Sequence, residues 1–250
     1  MAIDTHTHIN STVVPNVLKS IMEINNDPYL QKVINVGLDL DTSSECKDIS
    51  ILNPKIYYSV GIHPLYIDGQ DVNDLRDLIT DKAVGIGEAG FDDGKKNIFE
   101  QRTYFIKQIM LANEAGLPLI IHANNGNKNV IEVFETVVKP EYGCVFHCFQ
   151  PDVDLLDYIV DNSYYISFAG RVTYKNANRA LKVLERIPYG LFMVETDSPF
   201  ISPEPVRYEA GTSSNLHYIV ERIAELKRLK PSDIEAITNE NAMRLFRKLR

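Results

Sequence analysis

Apolar residues fall along this chain in two alternating patterns. Short runs rich in β-branched and aromatic residues start near Ile3, Val33, Tyr57, Val84, Leu119, Val145, Tyr165 and Phe192, and these read as strands. Between them, longer stretches space their apolar residues three to four apart. In residues 97–115, Phe99, Phe105, Ile106, Ile109 and Ala112 keep this spacing until Gly116-Leu117-Pro118 stops it, which predicts a helix. Residues 41–51, 71–80, 127–137, 152–161 and 176–186 read the same way, and two further helices close the chain, at about 213–229 and from Pro231-Ser232-Asp233 past Phe246. Eight strands alternating with helices predict an α/β fold, a TIM-type (β/α)8 barrel formed by residues 1–250 as one domain. A doubly wound open sheet is the alternative, but the glycine-bearing runs at 61–64 and 84–90 lack the spacing of a phosphate-binding loop after a first strand.

Composition narrows the class. Of 250 residues, 44% are apolar and 24% charged, which excludes intrinsic disorder, collagen and a coiled coil. No apolar run approaches the ~20 residues of a membrane helix. The start, Met-Ala-Ile-Asp-Thr-His, lacks a basic region followed by an apolar stretch, so the expected location is cytoplasmic, with no membrane contact and no obligate protein partner. The sparse cysteines, Cys46, Cys144 and Cys148, fit a reducing compartment, and strand alternation would place Cys144 and Cys148 opposite His147 as small packing residues. With 26 basic and 34 acidic residues the net charge is −8, which argues against wrapping long duplex nucleic acid. It leaves open a small nucleic-acid site where metal ions supply the positive charge.

The histidines carry the chemistry. There are six, and five of them (His6, His8, His63, His122 and His147) fall at the C-terminal ends of expected strands, the end of a (β/α)8 barrel that bears the active site. His6 and His8, two apart on a strand, share a face about 6.5 to 7 Å apart along the backbone. Glu88 lies between glycines in Gly85-Ile86-Gly87-Glu88-Ala89-Gly90, and Asp197 ends an apolar strand on the same face as Glu195. Each of these residues alone has an ordinary structural explanation. Together, His6, His8, Glu88, His122, His147 and Asp197 would face one barrel mouth. Four imidazoles and two carboxylates suit two divalent metals bridged by a carboxylate, an arrangement that hydrolyses phosphodiesters, amides or lactones.

The motifs DTHTH at 4–8, GIHP at 61–64, IGEAG at 86–90, IIH at 120–122, FHCF at 146–149, SFAGRVTYKNA at 167–177 and ETDSPF at 195–200 resemble those of the TatD family of metal-dependent hydrolases and deoxyribonucleases, within the amidohydrolase-like barrels. The resemblance implies that His6, His8 and Asp197 hold one metal, that Glu88 bridges, and that His122 and His147 hold the second. It implies Asp197 and Glu88 as catalytic residues, with Asp197 orienting the attacking water, and His63 as a phosphate or substrate contact. It also implies 3′-to-5′ exonuclease action on single-stranded DNA with magnesium or manganese, zinc being another ion seen in such sites. Arg171, Tyr174, Lys175 and Arg207 are expected substrate contacts.

Three segments depart from the family pattern: Phe91-Asp92-Asp93 after Gly90, Ala123-Asn124-Asn125 where an arginine is common, and Arg207-Tyr208-Glu209-Ala210-Gly211-Thr212, where only Arg207 matches. Fewer cations at the mouth weaken the expected grip on phosphate. The expected function is therefore a dinuclear metal-dependent hydrolase of DNA ends, with hydrolysis of a small amide, lactone or ester as the alternative. A binding protein with a structural metal is disfavoured, because structural sites are closed and mononuclear.

Overall fold

The computed structural model describes residues 1–250 except 15, 95, 96 and 151, and the side chains of all described residues but 153 and 154. Eight strands, β1 (Ala2–Thr7), β2 (Leu30–Val36), β3 (Ile56–Val60), β4 (Ala83–Asp92), β5 (Leu119–Asn124), β6 (Cys144–Phe146), β7 (Tyr165–Phe168) and β8 (Phe192–Val194), pair in parallel and in chain order. β1 meets β8 through the Thr7–Ser198 bridge, with Asp197 N–H donating to the His6 carbonyl and His8 N–H to that of Ser198. The chain therefore forms a nearly closed (β/α)8 barrel, as the strand count requires.

The helices are α1 (Val17–Asn26), α2 (Leu40–Leu52), α3 (Ile98–Ala115), α4 (Asn127–Thr136), α5 (Val153–Asp161), α6 (Asn178–Arg186), α7 (Leu216–Lys227) and α8 (Pro231–Leu245). Local chemistry sets their ends. Asp39 and Thr42 form a capping box at α2, Asn97 caps α3, and Gly116 ends α3 with φ 67°. Three expectations change. The sequence reading has no helix at Val17–Asn26, where α1 buries Ile21 and Ile24 and exposes Leu18 and Met22. The helix expected at 71–80 is a 3-10 helix, Val72–Leu78, and the one at 213–229 splits into a 3-10 turn at Ser213–Asn215 and α7.

Two apolar clusters hold the barrel. The larger packs the strands against the surrounding helices. The smaller gathers Ile3, Ile34, Val84, Ile120, Val145, Tyr165 and Met193 inside the barrel and stoppers them with Ala242, Leu245 and Phe246 from the C-terminal segment. α8 also grips the first strand: the Asn239 side chain accepts from Ile3 N–H and donates to the Met1 carbonyl. The barrel floor is therefore apolar, and polar groups gather at the other end. Among the described residues no helix is long and apolar enough to cross a membrane.

Candidate metal centre

Strand alternation carries the interior from core to site. Two residues beyond the floor residues Ile120, Val145, Tyr165 and Met193 come His122, His147, Ser167 and Glu195. Glu88 occupies the centre, 3% exposed, and its two oxygens face different partners. Oε2 lies 3.4 Å from His6 Nε2 and 3.7 Å from His8 Nε2. Oε1 lies 2.6 Å from His122 Nδ1, 2.6 Å from His147 Nε2 and 3.7 Å from His63 Nε2. Asp197 Oδ1 closes the first side, 3.5 Å from His8 Nε2 and 3.9 Å from His6 Nε2. The six residues expected to converge are brought together.

Glycines make the close approach of β4 to β5 possible. Gly87 has φ 141° and Gly90 φ 149°, and a Cβ on Gly90 would stand 1.9 Å from the His122 carbonyl oxygen. β8 ends at Val194 and Asp197 has φ 48°, so Asp197 does not end the strand and alternation does not set its face. An Asp tolerates this left-handed conformation better than most side chains.

The histidine rings are oriented from behind. His8 Nδ1 lies 3.0 Å from the Val36 carbonyl, so this nitrogen donates there and Nε2 faces the cluster. His147 Nδ1 lies 3.7 Å from Glu195, whose carboxylate accepts from Cys148 N–H (2.5 Å) and Ser167 Oγ (2.6 Å). His122 Nε2 lies 2.8 Å from Asp92 Oδ2, and Asn124 donates to that same oxygen. His63 behaves differently: its Nδ1 accepts from Leu65 N–H, which leaves a neutral ring with an Nε2–H donor facing Glu88. Burial lowers the His63 pKa to about 3, keeping that ring neutral.

Charge inside the cluster is strongly displaced. Burial alone would raise the Glu88 carboxyl, but His147, His63 and His122 overcome it and hold it well below the usual range. Burial opposes a charged His147, yet Glu88 and Glu195 hold its pKa well above that of a free imidazole; His122 is raised by Asp92 and Glu88, and His8 by Asp197 and Glu88. Burial and the charge on His147 lower His6. In the metal-free protein, protons therefore sit where cations would.

The donor set fits divalent cations. Two triads, His6–His8–Asp197 and His6–Glu88–His147, have donor atoms within 4.8 Å of one another, as does a third, His63–Asp92–His122. The Nε2 atoms of His6 and His8 stand 3.1 Å apart, and His6 Nδ1 is buried without a partner. Two imidazole nitrogens crowded together beside two carboxylates are an arrangement that a shared cation relieves.

The profile of the TatD related DNase family matches residues 3–247. The chain belongs to the TatD family. Curated relatives are named as metal-dependent hydrolases. YabD of Bacillus subtilis, described as uncharacterized, is 33% identical, covering 99% of each chain, and YcfH of Escherichia coli K12 is 27% identical over 98% of this chain and 95% of its own. Among solved structures, the TatD homologue YjjV of Escherichia coli superposes with a TM-score of 0.88 at 19% identity, covering 98% of both chains. An amidohydrolase of Saccharomyces cerevisiae superposes with 0.82 at 14%, covering 98% and 99%. The chain is thus a TatD-type metal-dependent hydrolase with the TatD barrel.

Of the expected substrate residues of this TatD chain, Arg171 and Tyr174 line one cavity beside the barrel mouth. Arg171 is exposed and lines a cavity of about 150 Å³ at the barrel mouth together with His122, His147 and Asp197. Lys175 is exposed on the loop after β7. Arg207 is committed elsewhere: its guanidinium stacks 4.0 Å from the Tyr174 ring centroid and pairs with Glu204. Cys148 corrects the sequence reading. β6 ends at Phe146 and Cys148 has φ 41°, so alternation stops, and this residue lines the mouth instead of packing opposite His147. Cys144 does pack in the core.

Sequence reasoning passed over two carboxylates. Asp92 was noted only as part of a departure, though its place on β4 four residues after Glu88 puts it on the same face, the available signal. Asp4, inside DTHTH, accepts from Thr196 N–H and Thr196 Oγ1 and ties β1 to the segment carrying Asp197; burial pushes its pKa up to about 7.

Proposed function

We propose that the chain is a deoxyribonuclease that releases nucleotides from the 3′ end of single-stranded DNA with two divalent cations, magnesium, manganese or zinc. The observation that carries this reading is the division of Glu88, one oxygen toward His6 and His8 and the other toward His122 and His147. His6, His8, Asp197 and Glu88 would hold one ion; Glu88, His122 and His147 the other. Two such ions supply activation of water at neutral pH and neutralise charge developing on a scissile phosphate.

The protein's own groups do the rest. Asp197, a carboxylate held in its charged form by the His8 bond against the pull of burial, accepts the proton of the attacking water. His63 directs an N–H donor at the centre and stabilises an oxygen of the substrate. Arg171 stands in the mouth and pairs with a phosphate oxygen. The family's DNase description supports DNA as substrate.

The test is metal-stripped protein incubated with a 5′-labelled single-stranded oligonucleotide, with Mg²⁺, Mn²⁺ or Zn²⁺ returned in turn. The expected result is a metal-dependent ladder shortening from the 3′ end. A second reading, hydrolysis of a small amide, lactone or ester, is favoured by the segment Ala123-Asn124-Asn125, which carries no arginine, and by the net charge of −8. It predicts no ladder with any ion and turnover of such small substrates instead.

A further inference from the structure

A second cavity, of about 500 Å³, opens beside the barrel mouth. The two share Cys148, Phe149 and Arg171, so they adjoin, with Arg171 at the neck. The mouth touches the cluster itself but is small. The larger cavity has the volume of a ligand pocket of ordinary size.

Its lining is aromatic, polar and cationic. Phe149 and Tyr174 give it aromatic surface, and Asn176 and Asn178 give it exposed amides. Arg171 and Arg179 give it two cations, and no acidic residue lines it among the described residues. Neither arginine forms an ion pair among the described residues. By contrast, the cavity between α1 and residues 210–214 sets Lys19 beside Glu23. Tyr174 is pinned, donating its hydroxyl hydrogen to the Ser202 carbonyl with the Arg207 guanidinium on its ring. A rigid aromatic wall, amides for hydrogen bonds to a ring edge and unpaired guanidinium groups together match a planar heterocycle carrying an anionic group.

We propose that this side cavity seats the nucleotide adjoining the scissile phosphate. The base lies against Phe149 and Tyr174, its edge meets Asn176 and Asn178, and Arg171 holds the phosphate at the neck. This rests on the phosphodiesterase reading above and names a specificity site within it. A strand enters past Arg179 and presents its end to the cluster with one nucleotide anchored beside it.

The experiment is calorimetric titration of the full-length chain, loaded with Mn²⁺, with thymidine 5′-monophosphate, and the same titration without the ion. Arg171→Ala, and Ala177→Trp, which fills the cavity from its rim, are each expected to weaken binding about tenfold or more, the scale of one lost base–aromatic or charged contact. Ala180→Phe fills the same cavity from α6 and serves if Ala177→Trp fails to fold. Equal binding in the folded cavity-filled variant, or none in the wild type, overturns the proposal. In parallel, turnover of bis(p-nitrophenyl) phosphate tests the phosphodiesterase reading alone. Turnover without nucleotide binding removes the subsite and leaves the activity. Cavity-dependent binding without turnover removes the activity and leaves the subsite.

Discussion

Asp197 takes a left-handed backbone conformation, 6% exposed, between an apolar strand and Pro199. Asparagine accepts the same conformation, so Asp197→Asn is expected to keep the fold while losing the charged acceptor beside His8. Metal-dependent turnover should fall about a hundredfold or more, with an unchanged circular dichroism melt of the metal-free protein. The raised pKa values of His8, His122 and His147 set a second expectation. These imidazoles hold protons that an entering cation must displace, so metal affinity rises with pH. Titrating the ion calorimetrically in buffers of different ionisation enthalpy should show proton release, and affinity independent of pH between 6 and 8 would contradict it. For the metal-free fold the sign is opposite. A raised imidazole pKa stabilises below about 6.5 and is lost as pH climbs through the folded value. Added cation should therefore raise the melting temperature most on the alkaline side.

Between neighbouring strands, geometry limits which side chains fit. β4 passes β5 so closely at Gly90 that a methyl group would meet the His122 carbonyl, and its φ of 149° disfavours any side chain. Gly90→Ala should cost more than about 1 kcal/mol in urea denaturation and displace His122, so that both stability and metal binding fall. At the opposite end, Phe246 is fully buried among the floor residues. Phe246→Ala is expected to cost about 3–5 kcal/mol through the cavity it leaves. The metal centre lies at the far end of the barrel, so ion binding by the folded fraction should be retained.

Across the whole molecule, charge and chemistry pull apart. The chain carries −8, yet its proposed substrate is a polyanion. Described cations near the mouth are few, Arg171 and Arg179 lining the adjoining cavities while Arg207 is spent on Tyr174 and Glu204. Cleavage of single-stranded DNA should accordingly depend weakly on salt. The slope of log(kcat/KM) against log[salt] is expected to be no steeper than about −2, near −0.7 for each phosphate contact. A steep slope would contradict this expectation.

The barrel and most of the candidate site were legible in the chain itself, because both follow from periodicity. Alternation along a strand is local, and it put His6 and His8 on one face before any contact was known. Caps and stops are local too, as at Asn97 and Gly116. α1 was not read from the chain, although Val17, Leu18, Ile21, Met22 and Ile24 recur at helical spacing. Nor was Cys148, because alternation ends where β6 ends.

By itself, then, the sequence determined the order of elements and the identity of the clustered histidines and carboxylates. Only the tertiary structure decided how they are used. It assigned the two oxygens of Glu88 to different histidine pairs, made His63 a donor toward the centre, tied His8 Nδ1 to the Val36 carbonyl, and set Asp92 and Glu195 behind His122 and His147. It also turned Arg207 away to Tyr174 and left Arg171 at the neck of the side cavity. The physical reason is range. Periodicity and capping act over a few residues, whereas ring orientation, protonation and cavity shape depend on atoms supplied by strands more than a hundred residues apart.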